Sequence, residues 1–296
     1  MSELGKIHIA TSGWSYDGWL GPFYPEGTQK RDYLSCYSER FPLVEVDSTF
    51  YTIPRESTVQ NWVTRTPSDF RFALKVPGSV THGAHGERPN VDKVLRDEAG
   101  DLDKFLDLVR LLGDKLGPIL FQFPYFRVKE FDVADFVSRL SEVLSRLPTD
   151  LRFAVEIRNK SWIKPTFLNL LRKHRVALAL IDHPYMELPL AQAVEERFTT
   201  DFGYVRLLGD RYSIEKTTKT WDKLVLDKER RLLDWAEVLI CLARSHAVSD
   251  VFAFSNNHFA GHGPATCRQL SFLLEQQLEA TSGLDDSDAS GDARSG

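Results

Sequence analysis

The stretch FAVEIRN, residues 153–159, is a short apolar run that leads into two charged side chains, Glu156 and Arg158. Because side chains alternate between the two faces of a strand, residues two apart are predicted to share a face. The same pattern, an apolar run that ends in polar residues, occurs eight times along the chain. The eight runs are residues 7–11, 44–47, 72–76, 119–123, 153–157, 177–182, 204–208 and 251–254.

Segments with the apolar spacing of helices lie between these runs. The clearest are residues 101–116 and 132–147, and the others are 31–40, 58–66, 165–174, 187–198, 227–246 and 264–279. A strand followed by a helix, repeated along the chain, predicts a parallel sheet that closes into a TIM-type (β/α)8 barrel. An open doubly wound sheet is the main alternative, and it is disfavoured because no Gly-rich phosphate loop follows any run.

Length and composition indicate a single domain. The chain has 296 residues, of which 27% are charged and 42% apolar, as in an ordinary globular barrel. We predict a barrel domain over residues 1–280 and a disordered tail over residues 281–296, which are rich in Asp, Ser and Gly. Residues 77–100 are rich in Gly and form a candidate lid.

The charge balance restricts the partners that we expect. A net charge of −5 does not favour nucleic acid as a partner, since phosphate binding depends on clustered Lys and Arg. Three cysteines without a C-x-x-C pair indicate neither a disulfide framework nor a zinc site, and they fit a cytoplasmic location. No apolar run approaches the length of a membrane helix, so no membrane partner is expected. The sequence gives no oligomeric state.

Extending the alternation of side chains to every strand predicts one inward layer at the carboxyl ends of the strands. The layer is Ser12, Asp47, Lys75, Gln122, Glu156, Arg158, Asp182, Arg206 and Ser255. Enzymes of this fold place their catalytic groups at this end, and a structural ion-pair network is the alternative. Glu45 is expected one layer deeper as a structural partner. His183 is expected to face away from the lumen.

Four of the mouth residues are predicted to be catalytic: Glu156, Asp182, Lys75 and His258. Glu156 would transfer a proton while Arg158 binds a phosphate or carboxylate of the substrate. Asp182 is the second carboxylate, and two carboxylates in different surroundings can divide the acid and base roles. Lys75 would stabilise negative charge or act as a base, and a simple ion pair with Asp47 is an equal alternative. If Glu156 serves chemistry, Glu156→Gln should change the free energy of unfolding by less than about 1 kcal/mol.

Aromatic residues crowd the loops that follow the strands, which predicts a platform for a ring-shaped ligand. The predicted substrate-binding residues are Ser12, Trp14, Tyr16, Asp47, Tyr51, Gln122, Arg158, Trp162, Arg206, Asn256 and Asn257. No cofactor and no metal are predicted. His82 and His85 form only a weak H-x-x-H pattern, and neighbouring cations would neutralise the carboxylates of a site built from Glu156, Asp182 and His258.

Short motifs at the predicted strand ends carry a resemblance to a known family. They are SGWSY (12–16), EVDSTFY (45–51), LKVP (74–77), QFP (122–124), EIRN (156–159) with SW (161–162), and FSNNHFAGH (254–262). Together they resemble the domain-of-unknown-function 72, or YecE-like, family over roughly residues 7–278. The resemblance implies a TIM-type barrel with these motifs at its mouth. It implies no reaction, because the activity of that family is unassigned.

Three functional hypotheses fit these observations. The leading one is a metal-independent enzyme that acts by acid–base chemistry on a small anionic, sugar- or nucleotide-like substrate. The alternatives are a metal-dependent phosphodiester hydrolase that binds DNA, and a non-catalytic ligand-binding protein.

Overall fold

The computed structural model describes residues 4–84, 88–127, 129–189 and 194–289, without the side chains of 281–289. In these ranges eight parallel strands form one sheet, in the order β1-β8-β7-β6-β5-β4-β3-β2. The strands are β1 (Lys6–Thr11), β2 (Leu43–Val46), β3 (Arg71–Lys75), β4 (Leu116–Gln122), β5 (Phe153–Glu156), β6 (Ala177–Asp182), β7 (Phe202–Leu207) and β8 (Asp250–Ser255). The predicted TIM-type barrel is confirmed.

The barrel closes narrowly between its first two strands. β1 and β2 meet at an isolated bridge between Ser12 and Glu45, just past the end of β1. The backbone N–H of Gly13 donates to the carbonyl oxygen of Glu45 at 2.7 Å. The seam is therefore joined at the carboxyl end of the strands, where the predicted mouth lies.

Helices surround the sheet. They are α1 (Tyr33–Ser38), α2 (Ser48–Tyr51), α3 (Glu56–Thr64), α4 (Gly78–Thr81), α5 (Asp101–Val109), α6 (Val133–Arg146), α7 (Pro165–Lys173), α8 (Arg211–Ile214), α9 (Glu229–Arg244) and α10 (Gly263–Ala289). Short 3-10 turns occur at Asp17–Trp19, Lys30–Asp32, Arg110–Lys115, Lys160–Trp162 and Glu195–Arg197. No helix in the described part of the chain is both long and apolar enough to span a membrane.

Helix α6 illustrates how local sequence specifies an element. The side chain of Asp132 caps the helix by accepting from the backbone N–H of Ala134 at 2.7 Å. Phe136, Leu140 and Val143 then recur at helical spacing and are buried. This apolar stripe anchors the helix to the sheet, and the exposed face carries the polar residues.

Two predicted helices differ from the structure. The helix predicted over 101–116 ends at Val109 and is followed by the 3-10 turn Arg110–Lys115, in which Gly113 has φ 54° and ψ −130°, outside the helical region. The prediction of a helix over 187–198 is wrong for residues 187–189, and only the 3-10 turn Glu195–Arg197 is helical among residues 194–198. Pro189 disfavours the helical conformation at Leu188, the residue before it. Residues 190–193 lie outside the described residues.

The candidate lid packs against the body of the barrel where it is described. The contact comes from Arg139 on α6, whose guanidinium donates to the carbonyl oxygen of Val91 at 2.8 Å. Within residues 77–100, the backbone N–H of Leu95 donates to the carbonyl oxygen of Val80 at 2.8 Å. At the other end of the chain, helix α10 continues to Ala289, past the predicted start of the tail at residue 281. The division of the chain at residue 280 remains a prediction.

Candidate active site at the carboxyl end of the barrel

Arg206 on β7 occupies the centre of the lumen and joins three strands. Its side chain is 2% exposed, and one terminal amino group donates to Glu45 Oε1 at 2.8 Å. The other amino group donates to Gln122 Oε1 at 2.9 Å and contacts Glu156 Oε2. Glu45 also accepts from the hydroxyls of Ser12 and Tyr204, each at 2.7 Å. The expectation that Glu45 is a deeper structural partner is therefore confirmed.

Glu45, Glu156 and Arg206 form the charged floor of the mouth, and each of these charges is neutralised by pairing with the others. Burial alone would raise the pKa of Glu45 and of Glu156, but Arg206 reverses the effect and holds both below their ordinary values. Burial opposes the charge of Arg206 as well, and the two carboxylates raise its pKa well above the ordinary value. Glu156, fully buried and held ionised, is poorly suited to exchange protons near neutral pH.

Lys75 lies beside this floor and connects Glu45 to the more exposed Asp47. Its ammonium contacts Asp47 Oδ1 and lies 3.5 Å from Glu45 Oε1. The side chain of Asp47 is 33% exposed, whereas that of Lys75 is 8% exposed. The predicted ion pair between Lys75 and Asp47 is thus present. Tyr16 lies nearby, and burial followed by the charge of Asp47 raises the pKa of its hydroxyl.

Arg158 is the cation that faces the opening. Its Nε donates to Glu156 Oε1 at 3.1 Å, and its side chain is 26% exposed. Within the described residues its two terminal amino groups make no hydrogen bond. A guanidinium held by one nitrogen alone leaves a planar pair of donors for an incoming anion.

Two neutral histidines lie within electrostatic range of Arg158. Burial and then the charge of Arg158 lower the pKa of His82 and of His183 to about 4. His183 Nδ1 accepts from the backbone N–H of Tyr185 at 3.2 Å, so the proton of the neutral ring is on Nε2. The mouth therefore holds an imidazole N–H donor near the exposed guanidinium.

The predicted inward orientation of Asp182 is wrong. Its carboxylate accepts from Arg231 Nε at 2.5 Å and from Trp235 Nε1 at 2.8 Å, both on helix α9 outside the barrel. Its neighbour Ile181, which pairs with Arg206, takes the inward position. The expectation that His183 faces away from the lumen is wrong for the same reason. Since Ile181 points inward and Asp182 outward, the next residue, His183, points towards the mouth.

Ser255 also faces outward, contrary to the prediction. It pairs in register with Thr11 on β1 and Leu207 on β7, whereas the preceding Phe254 pairs with the inward Arg206. The hydroxyl of Thr11 bonds Tyr37 on helix α1 at 2.8 Å, so this register position faces the helices. Seven of the nine predicted residues, Ser12, Asp47, Lys75, Gln122, Glu156, Arg158 and Arg206, remain in or above the floor.

The predicted aromatic platform is only partly at the mouth. Trp162 is 4% exposed and stacks on Phe126 at 5.7 Å between ring centroids, in a cluster between sheet and helices. Trp14 is half-buried and meets Trp62 of α3 edge-on at 6.0 Å. Tyr51, in contrast, is 68% exposed. These placements give Trp162 a packing role and leave tyrosines as the accessible rings.

The loop after β8 contains three more predicted site residues, Asn256, Asn257 and His258, and they have different surroundings. Asn257 Oδ1 accepts from Trp19 Nε1 at 3.1 Å and from the backbone N–H of Gly263 at 2.8 Å, which ties the first loop to helix α10. Asn256 Oδ1 is buried and has no hydrogen-bond partner in the described part of the chain. His258 Nε2 lies 3.2 Å from Glu215 Oε1. Burial lowers the pKa of His258, and Glu215 opposes this effect.

The residues considered for a metal do not come together. Glu156 bonds arginines, Asp182 lies outside the barrel, and His258 bonds Glu215. His82 is buried next to Thr81, and His85 lies outside the described residues. Among residues 4–84, 88–127, 129–189 and 194–280, no three His, Cys, Asp or Glu side chains are arranged to hold a metal ion.

Sequence reasoning missed His183 as a mouth residue. Every residue of β6, Ala177–Asp182, is buried, so the strand shows no alternation of apolar and polar positions. Asp182 was the only polar residue available to fix the phase of the strand. The signal that could have corrected it is Trp235 on helix α9, a buried indole N–H that needs an acceptor.

A parallel barrel with a buried charged floor and hydrogen-bond donors at its carboxyl end defines a TIM-type barrel with a candidate active site. The model of the family described as "Protein of unknown function DUF72" matches residues 8–289, and the chain belongs to this family. The resemblance seen in the sequence motifs is confirmed.

Curated relatives and a solved structure agree. UPF0759 protein YunF of Bacillus subtilis is 28% identical over 280 residues, covering 91% of this chain and 95% of that protein. UPF0759 protein YecE of Escherichia coli is 27% identical over 154 residues, covering 52% of this chain and 48% of that protein. A DUF72 family protein from Thermotoga maritima has a TM-score of 0.65 and 25% identity, covering 91% and 99% of the two chains.

Proposed function

We propose that this protein is a metal-independent enzyme that binds a small anionic, sugar- or nucleotide-like substrate at the barrel mouth and acts on it by acid–base chemistry. The observation that carries the proposal is Arg158. Its Nε is used by Glu156 at 3.1 Å, while both terminal amino groups are available at a side chain that is 26% exposed. A planar pair of N–H donors matches the oxygens of a phosphate or a carboxylate.

The groups around Arg158 support acid–base chemistry there. His183 presents its Nε2 proton, since Nδ1 accepts from the backbone of Tyr185. An anion on Arg158 would offset the positive field that helps to lower the pKa of His183, so the ring could take up a proton at Nδ1 in place of the hydrogen bond from Tyr185. The imidazolium could then give its Nε2 proton to the substrate as a general acid. We therefore assign proton transfer to His183 ahead of Glu156, whose carboxylate is committed to two arginines.

Lys75 and His258 remain candidates for a second proton-transfer role. Lys75 is paired with Asp47, so a substrate group that displaces Asp47 would meet an ammonium ion. His258 is half-buried beside Glu215. Asp182 has no part in the proposal, because its carboxylate bonds helix α9. The same placement removes the specific support for a metal-dependent hydrolase.

Phosphate binding tests the proposal directly. The melting temperature of the protein should rise with inorganic phosphate in a saturable way, because a ligand that binds only the folded state stabilises it. Arg158→Ala should abolish the increment. Arg152→Ala is the matched control, since Arg152 forms an ion pair with Asp250 at 2.8 Å and precedes β5 at the opposite end of the barrel. An increment that survives Arg158→Ala would refute the anion site.

Turnover separates an enzyme from a binding protein. Phosphorylated metabolites that give a phosphate-like shift should be converted by the parent protein and bound but not converted by His183→Asn. A ligand that depends on Arg158 and is always recovered unchanged would favour the non-catalytic alternative.

A further inference from the structure

Exposed tyrosines surround the mouth. Four tyrosines are more than 45% exposed in the described residues: Tyr51 (68%), Tyr125 (48%), Tyr185 (57%) and Tyr212 (79%). They follow strands β2, β4, β6 and β7, so each lies in a strand-to-helix connection or short helix at the carboxyl end of the barrel. Large exposed aromatic rings at an opening are candidates for ligand contact, and the two that pack against each other, Tyr125 and Tyr185, form the best-defined surface.

Two of these tyrosines pair next to the anion-binding groups. The rings of Tyr125 and Tyr185 lie 5.6 Å apart between centroids, tilted by 52°. The ring of Tyr185 lies 5.1 Å from the ring of His183. Ring contacts therefore run from His183 through Tyr185 to Tyr125, and the charge of Arg158 acts on His183 at the inner end of this row.

We propose that the Tyr125–Tyr185 pair is a stacking subsite for the planar base of a nucleotide whose phosphate binds Arg158. The inference rests on the proposed function, because it uses the same anion site. A bare sugar phosphate would be held by the guanidinium and the imidazole alone. The ring pair adds an apolar, flat surface beyond these donors, and a planar heterocycle on a phosphorylated sugar fits both parts.

Tyrosine suits this contact better than the other aromatic residues of the loops. Its ring offers a π-face to any base, while its hydroxyl tolerates water at the exposed edge. Stacking on an aromatic side chain contributes about 1–3 kcal/mol per base, which corresponds to roughly 5-fold to 150-fold in affinity. The subsite should therefore separate nucleotides from other phosphates by affinity.

Calorimetric titration of the full chain with four probes tests the subsite. The probes are adenosine 5′-monophosphate, ribose 5-phosphate, inorganic phosphate and adenosine. The parent should bind the nucleotide about tenfold more tightly than ribose 5-phosphate. The double variant Tyr125→Ala, Tyr185→Ala should lose that preference and bind ribose 5-phosphate within about twofold of the parent, because both side chains are exposed and the anion site is intact.

Two further variants make the outcomes distinct. Tyr212→Ala, which removes another exposed tyrosine from the rim, should bind all probes like the parent. Arg158→Ala should bind none of the phosphorylated probes. Equal affinity for the nucleotide and ribose 5-phosphate, or equal losses for both in the double tyrosine variant, would overturn the subsite while leaving the anion site intact. Failure of every phosphorylated probe on the parent would instead refute the proposed function itself.

Discussion

Replacing Glu156 with glutamine removes one charge from the centre of the barrel floor while keeping the shape of the side chain. Glu156 is fully buried and bonds Arg206, which is 2% exposed, and Arg158. After the replacement Arg206 keeps Glu45 as its only close carboxylate in the described residues. A nearly buried guanidinium then lacks one of its two counter-charges.

The magnitude follows from the burial of the pair. Removing one partner from a buried ion pair costs roughly 3–5 kcal/mol, since the remaining charge stays desolvated. The amide oxygen of Gln can still accept one hydrogen bond, so we expect the lower end, about 3 kcal/mol. This expectation replaces the change of less than about 1 kcal/mol that a purely catalytic Glu156 would give.

Urea titration followed by circular dichroism measures the effect. The midpoint should fall with an unchanged slope, which indicates that only stability has changed. Glu187→Gln is the matched control, because Glu187 pairs with Lys160 at 2.8 Å with a side chain that is 78% exposed. An exposed ion pair contributes about 0–1 kcal/mol, so the control should stay close to the parent.

A Glu156→Gln variant whose free energy of unfolding lies within about 1 kcal/mol of the parent value would contradict this expectation. The ion-pair network would then contribute little to the fold, and Glu156 would return as the first candidate for proton transfer. A variant that is both unstable and fully able to turn over a ligand would support the structural role assigned to Glu156.

Two further predictions concern residues outside that network. Burial and a neighbouring guanidinium lower the pKa of His82 from 6.5 to about 4, so the unfolded chain takes up a proton there that the folded protein does not, and stability falls as the pH falls through this window. His82→Asn should therefore flatten the decline in urea midpoint between these pH values by up to about 3 kcal/mol, and an unchanged decline, equal to that of the exposed control His246→Asn, would contradict it. Asp182→Asn should lower the free energy of unfolding by about 2 kcal/mol, because it weakens the hydrogen bonds to Arg231 and Trp235. The rise in melting temperature with phosphate should be unchanged. Loss of that rise would show that Asp182 takes part in anion binding after all.

Much of the fold could be predicted because it is encoded in local patterns. The apolar runs and the stripe of Phe136 and Leu140 on helix α6 have the spacings of strands and helices. A strand whose buried polar residue lies on the inward face, such as Lys75 on β3, also shows which of its residues point into the lumen. These signals need no knowledge of distant residues.

The errors arose where local pattern was absent. Strand β6 is buried on both faces, so its sequence does not distinguish Ile181 from Asp182 as the inward residue. A shift of one residue moves every side chain to the opposite face, and one wrong phase misplaced both Asp182 and His183. Helix α9 decided the matter, since it supplies two donors to Asp182.

Local sequence is enough to specify the barrel and the charged residues at its carboxyl end, because strand length, alternation and polar strand ends are properties of neighbouring residues. Which of these charges are free to bind a ligand depends on contacts made across the folded barrel. Glu156 and Arg206 are 50 residues apart, and Glu45 and Arg206 are 161 apart, yet they neutralise one another in the lumen. Arg158 escapes full pairing because it lies one step above that buried layer, where solvent reaches it. Ion pairing between distant strands arises only when the barrel closes, so it cannot be predicted from the residues near each charge.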